Sequence, residues 1–133
     1  MSAPDRYAAI VAAPGFALGV RCSDDEITAI DFLEAQPEVA PTSPLAAEAV
    51  RQLRAYLADP AFAFGLPLRP AGTTFQRRVW GEIAAIPHGE TRCYGQLAKN
   101  LKNAPRAVGQ ACGANPYPLV VPCHRVVASG GGL

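Results

Sequence analysis

Charge is scarce in this 133-residue sequence: 17% of its residues are Asp, Glu, Lys or Arg, while half are apolar. Charges nevertheless interrupt every apolar stretch, so no run is long enough to cross a bilayer and no membrane partner is expected. The N-terminus lacks a basic region followed by an apolar block, which argues against a secretory leader. Cysteines are few (Cys22, Cys93, Cys112 and Cys123) and show neither CxxC spacing nor dense pairing. That spacing is wrong for a structural zinc site, and free thiols in a reducing cytoplasm are the expectation. Internal repeats and low-complexity tracts are also missing. What remains has the length of one compact unit, or of two small lobes sharing an interface.

A net charge of +1 conceals an asymmetry. Residues 1–70 carry five Lys/Arg against nine Asp/Glu, whereas residues 71–133 carry seven against two. A basic half beside an acidic one hints at a polyanion facing only the second half, though ordinary fluctuation could produce the same split. The division coincides with a change of pattern, giving an expected sheet-and-helix lobe with linker over 1–70 and a second lobe over 71–133. In the first, "YAAIVAAPGFALGVRCSDDEITAIDFL" predicts short antiparallel strands from about Tyr7 to Phe32. Pro14-Gly15 and Ser23-Asp24-Asp25 supply the turns. Residues 34–44 read as a loop. "SPLAAEAVRQLRAYLADP" predicts a helix capped by Ser43, with Pro44 in its first turn and Pro60 beyond its end. "FAFGLPLRPAG" is extended and links the lobes.

From Thr74 onward three short helices are predicted. "TTFQRRVWGEIAAI" places Phe75, Val79, Ile83 and Ile86 on one face, with Thr73 or Thr74 as cap, and Pro87-His88-Gly89 breaks it. "TRCYGQLAKNLK" puts Tyr94, Leu97, Ala98 and Leu101 on one side. "RAVGQACGAN" follows and stops at Asn115-Pro116. Tight turns between short helices describe a helix-turn-helix. The third helix is built of small residues, including Ala107, Gly109, Ala111 and Gly113. Its two glycines each cost roughly 1 kcal/mol against alanine, so propensity does not explain them. Close approach to something else does, either a nucleic-acid groove or a neighbouring helix.

Cys123 lies in "VVPCHRVV", beside His124. A cysteine in an apolar run is more often an inert buried residue than a nucleophile. Adjacent side chains in an extended segment point apart, so contact between Cys123 and His124 is not assured. Pro122 before and Arg125 after instead suggest a constrained bend, where a cation and an imidazole could stabilise a thiolate.

The order "YGQLA", "PRAVG", Asn-Pro and "PCHRV", over about residues 74–133, closely resembles the O6-alkylguanine-DNA alkyltransferases, also called methylated-DNA–protein-cysteine methyltransferases. The resemblance implies an α+β fold: a ribonuclease H-like sheet-and-helix lobe, then a helical lobe with a winged-helix-like helix-turn-helix. It implies a single-turnover DNA repair protein that needs no metal or organic cofactor. Double-stranded DNA containing O6-alkylguanine would be the partner of a cytoplasmic monomer. The protein would dock through the minor groove, flip the lesion from the stack, and take its alkyl group irreversibly from guanine O6 or thymine O4. Carried onto this sequence, Cys123 is the acceptor and His124 the water-mediated base. Asn115 is the hinge tying the recognition helix to the cysteine turn. Arg106 would fill the space of the extruded base, and Tyr94 would press on the target phosphate and reach the flipped guanine. Ala107 and Gly109 would line the DNA-facing helix, with Arg92 and Lys99 among the phosphate contacts. Pro118, Val126 and the Cys123 carbonyl would belong to the pocket wall.

The family continues beyond "SGGGL" with a tyrosine-containing loop and a helix carrying the glutamate that orients the histidine, whereas this sequence stops at Leu133. The expectation is therefore DNA binding with slow methyl transfer, and a mobile Gly130–Leu133 end. A non-catalytic module that senses alkylated guanine is the alternative reading, which the presence of Cys123 opposes. A plain helix-turn-helix regulator would have no need of Pro-Cys-His-Arg.

Overall fold

The computed structural model describes residues 7–127, so the Gly130–Leu133 end lies outside them. The chain divides into two compact units, Met1–Arg69 and Pro70–Leu133.

In the N-terminal unit, β1 (Ala9–Ala13), β2 (Phe16–Cys22) and β3 (Ile27–Glu34) form one antiparallel sheet in chain order. Gly15 closes the first hairpin at φ 82°, a left-handed conformation that favours glycine. In the second turn the Ser23 hydroxyl accepts from the backbone N–H of Glu26 at 3.1 Å. Gly19 leaves room for the Tyr7 ring, since a β-carbon there would come within 2.6 Å of two ring carbons. The Tyr7 hydroxyl in turn donates to Asp31, which also pairs with Arg21. Helix α1 (Pro44–Ala58) starts where Ser43 Oγ accepts from the Ala46 N–H at 3.1 Å. It buries Ala46, Ala49 and Leu53 against β1 and β2, completing a core with Leu18, Val20, Ile27 and Ile30. The proline-broken stretch after α1 adds to the β3 side: Ile27 N–H donates to the Pro67 carbonyl and Arg69 N–H to that of Ile27.

The C-terminal unit holds α2 (Thr74–Ala84), α3 (Tyr94–Leu101) and α4 (Pro105–Gly113), followed by a 3₁₀ turn at Cys123–Arg125. Helix α2 has a reciprocal cap: Thr73 Oγ1 accepts from the Gln76 N–H, and Gln76 Oε1 from the Thr73 N–H. Val79, Ile83, Ile86, Leu97, Leu101, Val108, Tyr117, Val121 and Val126 form its core. Trp80 is buried and its indole N–H donates to the Ala111 carbonyl at 2.8 Å, joining α2 to α4.

One local expectation fails. Cys93 is not helical: Arg92–Cys93 forms a short strand, β4, paired in parallel with β5 (Val126–Val127). The helix begins one residue later, where Gln96 Oε1 accepts from the Cys93 N–H at 2.8 Å. The helical spacing of apolar residues runs on across this boundary, and the strand's partner lies far away in sequence. The whole is α+β, and among the described residues no helix is long and apolar enough to cross a membrane.

Candidate active site

Helix α4 ends at Gly113, and the chain then reverses through Asn115–Pro122 to bring Cys123 back beside the end of that helix. Asn115 organises the reversal. Its Nδ2 donates to the Val121 carbonyl at 3.0 Å, and its Oδ1 accepts from the Tyr117 N–H at 2.8 Å. A further bond, from the Val121 N–H to the Tyr117 carbonyl, closes the loop. Leu119 sits at φ 74°, a conformation a non-glycine residue adopts at a cost, so the surrounding bonds hold it there.

The Cys123 sulfur is half-buried within this frame. Asn115 Nδ2 donates to Sγ at 3.6 Å, and the Cys123 thiol itself donates to the Cys112 carbonyl at 3.8 Å. A hydrogen bond from the Cys112 thiol lowers the Cys123 pKa below the ordinary thiol range; burial opposes the shift and the Asn115 amide adds to it. Cys112 is pushed the other way, first by its bond to Cys123 and then by burial. Tyr94, the first residue of α3, lies near enough to both thiols to feel their charge. Its pKa is raised by burial, then by the charges of Cys112 and Cys123.

His124 follows Cys123 but projects into solvent. Partial burial, then the Arg125 charge, lowers its pKa, so the imidazole is neutral at pH 7 and able to accept a proton. Among the described residues no hydrogen bond links it directly to the Cys123 sulfur. Nor does Arg125 serve as the cation beside that sulfur, as the sequence suggested: its Nη1 donates to the Ile86 carbonyl at 2.8 Å. The open carbonyl just past α2 draws the guanidinium there.

Cys123, Asn115 and Tyr94 are therefore brought together, with Pro118 in the reversal and buried Val126 directly after the 3₁₀ turn. Arg106 and Ala107 lie at the opposite end of α4, Arg106 exposed. At about 1.5 Å per residue, Arg106 stands roughly 9 Å along the axis from Cys112. A β-carbon at Gly109 would meet only the Tyr94 ring, at 4.0 Å, and one at Gly113 would meet nothing within 4 Å. Packing inside the unit thus does not demand either glycine. Lys99 is exposed on α3, while Arg92 folds back on its own loop, bonding Glu90 Oε1 at 3.0 Å and the Thr91 carbonyl at 2.9 Å.

Sequence reasoning passed over Cys112. The available signal was a pair of cysteines flanking the Asn-Pro reversal, which returns the second to the helix end carrying the first. Among the described residues no group of three His, Cys, Asp or Glu side chains could hold a metal ion.

Residues 74–133 match the family model described as the DNA-binding domain of 6-O-methylguanine DNA methyltransferase. A methylated-DNA–protein-cysteine methyltransferase of Methanosarcina acetivorans is 51% identical over 88 residues, covering 65% of this chain and 56% of that protein. Its counterpart in Mycobacterium leprae is 48% identical over 89 residues, covering 65% and 54%. The matched segment thus spans about half the length of these curated relatives. The crystal structure of Mycobacterium tuberculosis OGT in complex with DNA superposes with a TM-score of 0.80 at 36% identity. It covers 92% of this chain and 79% of the other. Likeness of fold extends beyond the stretch that the family model matches, and the chain belongs to the O6-methylguanine-DNA methyltransferase family, also called methylated-DNA–protein-cysteine methyltransferases.

Proposed function

We propose that this protein repairs alkylated DNA by moving a methyl or larger alkyl group from guanine O6 to Cys123, once per molecule. The thiolate attacks the alkyl carbon. A sulfur–carbon bond forms as the carbon–O6 bond breaks, the electron pair returns to guanine, and the base takes up the proton that the thiol has lost. Thymine O4 presents the same electrophilic alkyl group and is the second substrate. One observation carries the reading: the Cys123 sulfur accepts from the Asn115 amide, which favours its anion, yet remains half-open to solvent. A thiolate stabilised where a substrate can reach it is the requirement for a nucleophile.

Access to the alkyl group requires the base to leave the stack. Arg106, exposed at the start of α4, is suited to occupy the vacated space, because a planar guanidinium stacks where an ammonium would not. Ala107 and Gly109 keep that helix thin enough for close approach to a minor groove, and the open space at Gly113 supports the same reading. The relative solved with DNA supports DNA as the partner. Neutral His124 can take the thiol proton through a water molecule, and the Asn115 amide favours the resulting thiolate directly. Four unpaired thiols suit a reducing cytoplasm.

Incubation with an oligonucleotide containing O6-methylguanine should leave one methyl adduct on Cys123, located by tandem mass spectrometry. An adduct on Cys112 with Cys123 untouched would overturn the assignment. Tight lesion binding with no adduct would instead favour a non-catalytic sensor.

A further inference from the structure

We infer that Arg125 is a positioning residue for the reaction at Cys123: its guanidinium docks the turn that carries the reactive sulfur onto the carbonyl at the end of α2. The inference rests on the repair reading for its purpose, but its physical content concerns the conformation of this chain alone.

Cys123 lies in a single 3₁₀ turn, closed by a bond from the Arg125 N–H to the Pro122 carbonyl at 2.9 Å. One such turn has little stability of its own, so its place is set by what holds its flanks. Before it, the Asn115 amide holds the Val121 carbonyl. After it, Val126 and Val127 pair with Arg92 and Cys93 over only two rungs. Neither tether bonds to α2. The Arg125 side chain does, its Nη1 donating to the Ile86 carbonyl at 2.8 Å. That acceptor is firmly placed, because Ile86 is buried and its N–H bonds the Ile83 carbonyl. Pro87 follows and cannot continue the helix, so the carbonyl takes its donor from a side chain far along the sequence.

The sulfur depends on a fixed turn. Its bonds are long, 3.6 Å from the Asn115 amide and 3.8 Å to the Cys112 carbonyl. A displacement of about 1 Å is enough to break them and to misaim the sulfur. Charge does not account for Arg125, since its guanidinium is drawn to α2 and, among the described residues, no bond joins it to the sulfur. Nor is it a surface cation awaiting phosphate, being half-buried and already bonded. An apolar side chain could fill the same space, but it would leave the Ile86 carbonyl without this donor.

Two substitutions separate these roles. Arg125→Met keeps the length of the stem but has neither donor nor charge. Arg125→Lys keeps the charge, on a flexible stem that holds a carbonyl less firmly than a planar fork. The readout is the pH dependence of Cys123 alkylation by iodoacetamide, followed by tandem mass spectrometry, with Cys22 of the N-terminal unit as internal control. Arg125→Met should raise the Cys123 midpoint by about one pH unit, slowing the reaction about tenfold at neutral pH, equally in low and high salt. Arg125→Lys should fall between it and the wild type. In single-turnover transfer from O6-methylguanine DNA, both variants should lose rate at saturation and keep their affinity for the DNA. An unchanged midpoint in Arg125→Met would overturn the inference, as would a slowing that fades as salt screens charge. A lysine variant that matches the wild type, or a loss confined to DNA affinity, would do the same. The lysine variant decides alone if the methionine variant does not fold. The iodoacetamide reaction needs no DNA, so a wild-type chain whose Cys123 reacts readily there but takes no methyl from DNA would sink the repair reading while leaving this one standing.

Discussion

Asn115 shows how much one amide can hold. It bridges the Val121 carbonyl, the Tyr117 N–H and the Cys123 sulfur, so its loss leaves part-buried groups unpaired. Asn115→Ala should cost about 1–3 kcal/mol, read as a lower urea midpoint, and slow iodoacetamide capture of Cys123 at neutral pH. The lowered Cys123 pKa fixes the sign of the wild-type profile. Its thiolate persists at pH values where an ordinary thiol is protonated, and reactivity is lost only as pH falls through that lowered value. Cys112 shifts oppositely and should stay unreactive across the same range. Arg106 makes a different prediction, because it is exposed and its proposed role arises only when DNA is present. Arg106→Ala should impair transfer from a well-paired lesion more than from a mismatched or single-stranded one, where less unstacking must be offset. Equal losses on the two substrates would mean that Arg106 only touches phosphate.

Among the elements, α2 and α4 are coupled by the Trp80 indole, and the coupling ends one residue before Cys112. Trp80→Phe keeps the ring but strands the Ala111 carbonyl. It should destabilise the chain by about 1–3 kcal/mol in urea unfolding and slow Cys123 alkylation as the α4 end loosens. The beginnings of α1 and α2 were legible in the sequence, because Ser43 with Pro44, and Thr73 with Gln76, cap them through bonds spanning three residues. The strand hairpins were legible for the same reason, their turns being set by Gly15 and Ser23. Strand β4 was not, since Cys93 owes its conformation to Val127 and not to its neighbours. The site divides likewise. Cys123 and Asn115 stood out by motif, whereas the proximity of Cys112 arises only from the reversal, and Arg125 found a partner, Ile86, far back in the chain.

For the molecule as a whole, the charge split has a measurable consequence. Seven of the twelve Lys/Arg fall in residues 71–133, with only two acids, and small residues on α4 cannot read base edges. Affinity for undamaged duplex should fall steeply with salt and vary little with sequence, as fluorescence anisotropy across a salt series would show. Lys99→Ala should lower the salt slope by about one without creating any sequence preference.

The two-rung pairing of β4 with β5 also bears on when reactivity appears. Its strands, at positions 92 and 126, lie on either side of α3, α4 and the reversal in sequence, so the rungs close a long loop. Such high contact order makes this ladder a late event in folding, and its short length makes it an early one to open in native-state hydrogen exchange. Because Val126 directly follows the turn that carries Cys123, opening of this ladder frees one flank of that turn, and exchange at Cys93 and Val127 should rise together.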